Sequence, residues 1–533
     1  MYRAVASISS PYFATHPISD PLGRLFVAGS RIWVSGNPPL GSPTWRIDTK
    51  RAVPYTGDDA PSLTNRLPAV NRLFRLLCAV TLALTLVVGC GPATESPSTP
   101  AAPEGVGEPD WVTDAVMYEV FIPDFTEEGT FRGAINRLDE LEQMGVTTLW
   151  LMPIHPVGDK RAKTDIGALG SPYAVRDYKG VNPEYGGEEQ FRAFVDSVHA
   201  RGMHIIIDWV ANHTAWDHPW VEEHPEYYTP GPIDGRFTYP LLDGDTTDWT
   251  DVVDLDFSNQ EMRTKMIDAM QFWVEEYNID GFRCDVAHQV PLDFWQAAID
   301  SVESVKPVLM LAEAAEPEMH DVGFDLTYAW PFFGELKQVW DGDPVSELIT
   351  QVDTTLDDLA PRAKRLRFTT NHDETMWDAT PPELFGGIEG SKSAFVLAST
   401  MPGVPLLYNG QELGVADTVS FFASTPYDWS QAENNEVTAF YTDYLTLYRN
   451  STALRNGALE VLTPDAEDAL LYTRSTDDET MLIAVNIRDQ AASLKLPSEY
   501  QNQSWTDALS GESVSGSTLD LGPYGYRLLR AGQ

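Results

Sequence analysis

Four apolar, strand-like runs in the middle of the chain each end on groups able to give or take a proton. "GMHIII" leads to Asp208, with Asn212 and His213 just beyond, and "IDGFRC" delivers Arg283 and Asp285. "PVLMLA" ends at Glu313, and "RLRFTT" ends at Asn371, His372 and Asp373. Arg283 and Asp285 are two residues apart, so on an extended strand they point to the same side. A guanidinium placed there favours the ionised aspartate and is expected to lower its pKa. A helix N-cap or a salt bridge explains one acidic residue after a strand. Four such ends in succession are read instead as candidates for acid–base and nucleophilic chemistry by carboxylates.

The elements that must position these groups alternate regularly. "AVMYEVFI" reads as a strand, "FRGAINRLDELEQMG" as a helix, "VTTLWLMPI" as a strand, "GEEQFRAFVDSVHARG" as a helix and "MHIIIDWV" as a strand. Repeated β-α alternation predicts a parallel sheet covered by helices, either a (β/α)8 barrel or a doubly wound sheet. In a barrel, polar residues at the carboxyl ends of strands line the active site. No GxGxxG or GxxxxGK[ST] stretch follows an early strand, so nucleotide binding loses weight.

Composition narrows the partners. The formal net charge of -43 argues against nucleic acid and against a polyanionic substrate, and suits a neutral one. The charge itself is read as a solvation device. Three cysteines, Cys78, Cys90 and Cys284, give no disulfide framework.

Residues 71–90, "NRLFRLLCAVTLALTLVVGC", combine a short basic start with an apolar stretch of signal-peptide length. "VVGC" resembles the lipobox of bacterial lipoproteins, with valine where leucine is commoner, which implies a lipid anchor at Cys90. The Pro-, Ser-, Thr- and Glu-rich residues 91–109 read as a disordered tether. Export signals work at an N-terminus, so residues 1–69 are expected to be untranslated, with translation starting at Val70 on a non-AUG codon. The expected product is an exported, membrane-anchored lipoprotein, periplasmic or at the cell surface, and a monomer.

From about Val112 to Arg449 the chain resembles the α-amylase family of glycoside hydrolases. "DWVANH" is similar to that family's DxxxNH segment, "GFRCDVAH" to GxRxD, Glu313 to its strand-five glutamate and "TTNHD" to xxNHD. "SPYAVRDYKGVNPEYGG" and "MPGVPLLYNGQELG" match two further segments in the right order. The resemblance implies a TIM barrel over 110–450 with a small inserted domain at about 213–257, and a C-terminal antiparallel β-sandwich over 451–533. It implies retaining cleavage of α-glucosidic bonds, with Asp285 as nucleophile, Glu313 as acid/base and Asp373 as the third carboxylate holding sugar hydroxyls. His213 and His372 would hydrogen-bond the same sugar, Tyr173 would stack under it, and Asp208 would organise the site by pairing with Arg283. Glu313 needs a raised pKa for its role. Glu316 competes for that role but lies in the loop beyond the apolar run.

The family's structural calcium would use Asn212, with Asp243, Asp245 and Asp248 as further oxygen donors. No organic cofactor is expected. "VVDLDF" resembles the α-amylase version of its segment, whereas "DVA" after the nucleophile is similar to cyclomaltodextrinases and neopullulanases. Starch-like α-1,4-glucan hydrolysis is therefore the main expectation, with cyclomaltodextrinase-type hydrolysis, 4-α-glucanotransfer, or isomerisation of maltose or sucrose as alternatives. A glucan-binding lipoprotein without activity would not need all three carboxylates. Trp216 and Trp220 offer stacking surfaces or ordinary packing.

Overall fold

The computed structural model describes residues 109–242, 244–357, 363–501 and 503–531. The extension, the signal, Cys90, the tether up to residue 108 and Asp243 lie outside the described residues. Eight strands form the centre: β1 (Met117–Val120), β2 (Thr148–Leu151), β3 (His204–Trp209), β4 (Gly281–Cys284), β5 (Leu309–Ala312), β6 (Leu326–Tyr328), β7 (Lys364–Arg367) and β8 (Val404–Tyr408). Every neighbouring pair is parallel, and β8 pairs with β1, so the sheet closes in chain order. Closure decides for the (β/α)8 barrel over a doubly wound sheet. β1, β2, β4, β5, β6 and β8 are buried at every position, as expected for parallel strands covered on both faces.

The covering helices start and stop on local signals. Asn259 accepts from the N–H groups of Glu261 and Met262, opening the helix Gln260–Tyr277 after β3. Its buried face carries Met262, Met266, Met270, Trp273 and Tyr277, spaced three or four apart. Gly281, which opens β4, has φ +156, and a Cβ there would stand 2.0 Å from the Leu309 carbonyl oxygen. Only glycine lets β4 and β5 lie this close, and these two strands carry Arg283 and lead to Glu313.

Between β3 and Gln260 the chain makes a small insert, in which His213–Ala215 pairs antiparallel with Val252–Asp254 and Leu241–Leu242 with Asp245–Thr246. After the helix Glu436–Asn450 a six-stranded sheet begins with Ala458–Val461, Ala469–Ser475 and Thr480–Asn486. The ribbon of Ala492–Lys495 with Thr518–Leu521 covers one face, burying Leu471, Leu482, Trp505 and Leu519 between the layers. The other face, through Leu470, Tyr472 and Ile483, joins the continuous core of the barrel. Among the described residues no helix is long and apolar enough to cross a membrane.

Candidate active site

The strand register sets the site. Asp208 on β3 lies beside Arg283 on β4, and Arg283 beside Leu311 on β5. The backbone N–H of Asp285 then bonds the Trp209 carbonyl at 3.0 Å, and that of Glu313 bonds the Cys284 carbonyl at 3.0 Å. The polar residues thus leave the barrel together at the carboxyl end. Arg283 is fully buried and is their hub. Its Nη1 donates to Asp208 Oδ1 at 2.8 Å and Asp285 Oδ1 at 3.0 Å, and its Nε to the Tyr328 hydroxyl at 3.2 Å. Nη2 faces Glu313 Oε1 at 2.9 Å as an ion pair rather than an aligned hydrogen bond.

A second chain of contacts runs from β1 to the end of β7. His372 Nδ1 lies 2.5 Å from Glu119 Oε1, and its Nε2 is 2.7 Å from the Tyr173 hydroxyl and 3.3 Å from Asp373 Oδ2. Tyr173 donates in turn to Asp208 Oδ2 at 3.2 Å, which also accepts from Trp150 Nε1 at 3.3 Å. The Tyr173 ring stacks on His372 with centroids 5.5 Å apart. His213 is buried, with its ring bonded to the Tyr173 backbone.

One guanidinium facing three carboxylates cannot hold all of them ionised. Burial raises Glu313 to about 7, with Arg283 opposing and Asp285 and Asp373 adding to the rise. Burial also raises Asp285 to about 7 and Asp208 to about 6, against the pull of Arg283. This corrects the expectation of a lowered Asp285: the arginine acts in the expected direction, but desolvation and the neighbouring Asp208 and Asp373 outweigh it. Burial disfavours the His372 imidazolium too, yet Asp373 and Glu119 overcome that and hold its proton well above the ordinary histidine range. Reciprocally, burial works against the Asp373 carboxylate, and His372 overcomes it to keep that group below its usual pKa.

Asp208, Arg283, Asp285, Glu313, His372, Asp373, Tyr173 and His213 are therefore brought together. Glu316 is not: its Oε2 accepts from the adjacent Ala315 N–H at 2.9 Å. Trp216 is buried, donates to the Thr250 carbonyl and lies under Arg161, and Trp220 packs on Tyr178 and Tyr227, so both serve packing. Asn212 is buried beside His213, whereas Asp245 and Asp248 are exposed. Among the described residues no three His, Cys, Asp or Glu side chains converge as a metal site.

Sequence reasoning missed Glu119, a lone charge in the apolar run "AVMYEVFI" whose partner lies 253 residues away. It also missed Val286, whose φ of 37° and ψ of 45° put a β-branched residue in the left-handed region directly after Asp285. Such a conformation costs on the order of 1–3 kcal/mol and is found where surrounding structure imposes it. Here it aims the Val286 N–H at Glu313 Oε2, 2.7 Å away.

The chain can be set beside known proteins. Residues 105–239 and 245–446 match the family model described as alpha amylase, catalytic domain, and 459–528 match that of the maltogenic amylase C-terminal domain. Alpha-amylase MalA of Haloarcula japonica is 26% identical over 423 residues, covering 76% of this chain and 59% of the relative. The cyclomaltodextrinase of Geobacillus thermopakistaniensis is 24% identical over 479 residues, covering 79% and 77%. The crystal structure of a noncanonic maltogenic alpha-amylase, AmyB, from Thermotoga neapolitana superposes with a TM-score of 0.69 at 27% identity, over 79% of this chain and 99% of that one. With the barrel, the carboxylate cluster and the family match in agreement, the chain belongs to the alpha-amylase family.

Proposed function

We propose that this protein is a retaining hydrolase of α-1,4-glucosidic bonds in starch or maltooligosaccharides. The observation that carries the reading is the pairing of Asp285 and Glu313 with two nitrogens of one buried arginine. In the first step Asp285 attacks the anomeric carbon while Glu313 protonates the departing glycosidic oxygen, so the old C–O bond breaks as the glycosyl–aspartate bond forms. In the second, Glu313 takes a proton from water, which attacks the same carbon and frees Asp285. A single proton held on Glu313 relieves its repulsion with Asp285 and leaves Asp285 charged against Arg283. Asp373 and the protonated His372 present an acceptor and a donor to sugar hydroxyls, Tyr173 underlies the ring, and Asp208 orients Arg283.

A time course of products from soluble starch, maltotriose, pullulan and cyclomaltodextrin tests this. Rapid shortening of starch with cyclomaltodextrin nearly untouched supports the α-amylase reading, and no cleavage of any of the four overturns it. Fast opening of cyclomaltodextrin or cleavage of pullulan favours the cyclomaltodextrinase type. That second reading is supported by "DVA" after Asp285 and by the similarity to the Geobacillus cyclomaltodextrinase.

Three further expectations complete the proposal. Lipidation at Cys90 with export rests on residues 71–90, and metabolic labelling with a fatty acid, lost in Cys90→Ala, tests it. Calcium rests on Asn212 alone and enters no step above; dialysis against a chelator tests it, with an unchanged Tm excluding a structural ion. The monomer is tested by light scattering.

A further inference from the structure

Among the described residues four large apolar side chains are exposed, and the most exposed is the only aromatic one, Trp377 at 59%. It lies four residues past Asp373, in the helical turn Glu374–Asp378 that follows β7. Its ring meets Phe421 edge-on at 6.3 Å and Phe422 at 6.1 Å. Phe421 in turn meets Tyr173 at 6.0 Å and His372 at 5.4 Å. Both phenyls are buried and stack on each other at 4.9 Å, so a fixed aromatic ridge runs from Tyr173 out to Trp377. Trp377 also adds, after His372 and Arg283, to the groups that favour the charged form of Asp373. An indole anchored along its edge by two rings, with more than half its surface in water beside a carboxylate cluster, is a prepared apolar surface.

We infer that Trp377 is a specificity-determining residue whose exposed face stacks on the glucose unit adjoining the one cleaved. A pyranose offers one face of C–H bonds, apolar and slightly positive, which complements the negative face of an indole. The neighbouring glucose of an α-glucan is the ligand of that chemistry closest at hand when another unit lies over Tyr173. The ridge spans two sugar positions and selects chains over single glucosides. Trp216 is buried and Trp220 is half-buried against Tyr178 and Tyr227, so neither presents an open face like that of Trp377.

The inference rests on the hydrolase reading, so the test separates the two. Using the full-length protein, kinetics with maltoheptaose are compared for wild type, Trp377→Ala and Trp377→Phe, alongside fluorescence titration with maltoheptaose in a Glu313→Gln background. The expected result is a KM about tenfold higher for Trp377→Ala with kcat changed far less, near-complete rescue by Trp377→Phe, and loss of sugar-induced quenching on adding Trp377→Ala to the Glu313→Gln protein. Unchanged KM and quenching in Trp377→Ala overturn the inference while leaving the hydrolase reading intact. Equal loss of kcat in Trp377→Ala and Trp377→Phe at unchanged KM also overturns it, assigning Trp377 to positioning Asp373 through its N–H. A wild-type protein that neither cleaves nor binds maltoheptaose removes the hydrolase reading and the inference with it.

Discussion

The backbone N–H of Val286 donates to Oε2 of Glu313 at 2.7 Å, so the residue after one member of the carboxylate pair holds the other member in place. This bond favours the ionised form of Glu313. Val286→Pro removes the donor and its ring cannot adopt the left-handed φ, so the pKa of Glu313 rises and the alkaline limb of kcat/KM moves to higher pH. The rate falls by about tenfold or more, the worth of a hydrogen bond to a charged group. Val286→Gly keeps both the donor and the conformation, and its pH profile should match wild type. Steady-state rates between pH 5 and 10 check both variants.

Burial raises both Glu313 and Asp285 to about 7 and the two share Arg283, so they titrate as a pair and activity should follow a bell centred near neutrality. On the acid side the pair takes up a second proton and the nucleophile is neutralised. On the alkaline side Glu313 loses the proton it must donate. A plateau from pH 5 to 9 contradicts this.

Glu313→Gln should lower kcat on maltoheptaose by about 10² to 10⁴, the usual contribution of a general acid. Glu316→Gln should change it by less than about threefold, because that side chain caps its own loop. Rates with purified variants decide, with circular dichroism confirming that both fold.

Arg283→Lys replaces a fork that meets Asp208, Asp285 and Glu313 at once with a single point charge. Leaving buried carboxylates unpaired costs about 3–5 kcal/mol, so Tm should fall by several degrees and activity should be lost. Thermal denaturation measures the first effect and a reducing-sugar assay the second.

Glu119→Gln removes one of two anions that keep His372 protonated. The imidazolium should then titrate at lower pH, seen in the ring resonances of isotopically labelled histidine, and KM should rise as a donor to the sugar weakens. An unchanged His372 titration would show that Asp373 alone sustains the charge.

Much of this arrangement is legible in the residues themselves. Strands covered on both faces must be apolar, so runs such as "GMHIII" and "PVLMLA" stand out, and a charge at the end of such a run marks the barrel mouth. Spacing alone puts Arg283 and Asp285 on one side of β4. The sign of the Asp285 shift is not legible in this way, because it depends on how far loops from other strands exclude water. Glu119 hides for a related reason: its partner His372 lies in the segment that follows β7, and only barrel closure brings the two together. Trp216 and Trp377 are alike as letters, and burial alone separates packing from an open face.

The central claim is that Asp285 forms the covalent bond while Glu313 supplies the proton. It is tested most directly by incubating Glu313→Gln with α-maltosyl fluoride, whose leaving group needs no proton, and mapping the adduct by peptide mass spectrometry. The account predicts a maltosyl group on the peptide carrying Asp285, absent when Asp285 is changed to Asn. An adduct on another carboxylate, or fluoride released at the wild-type rate with no adduct trapped, would contradict it.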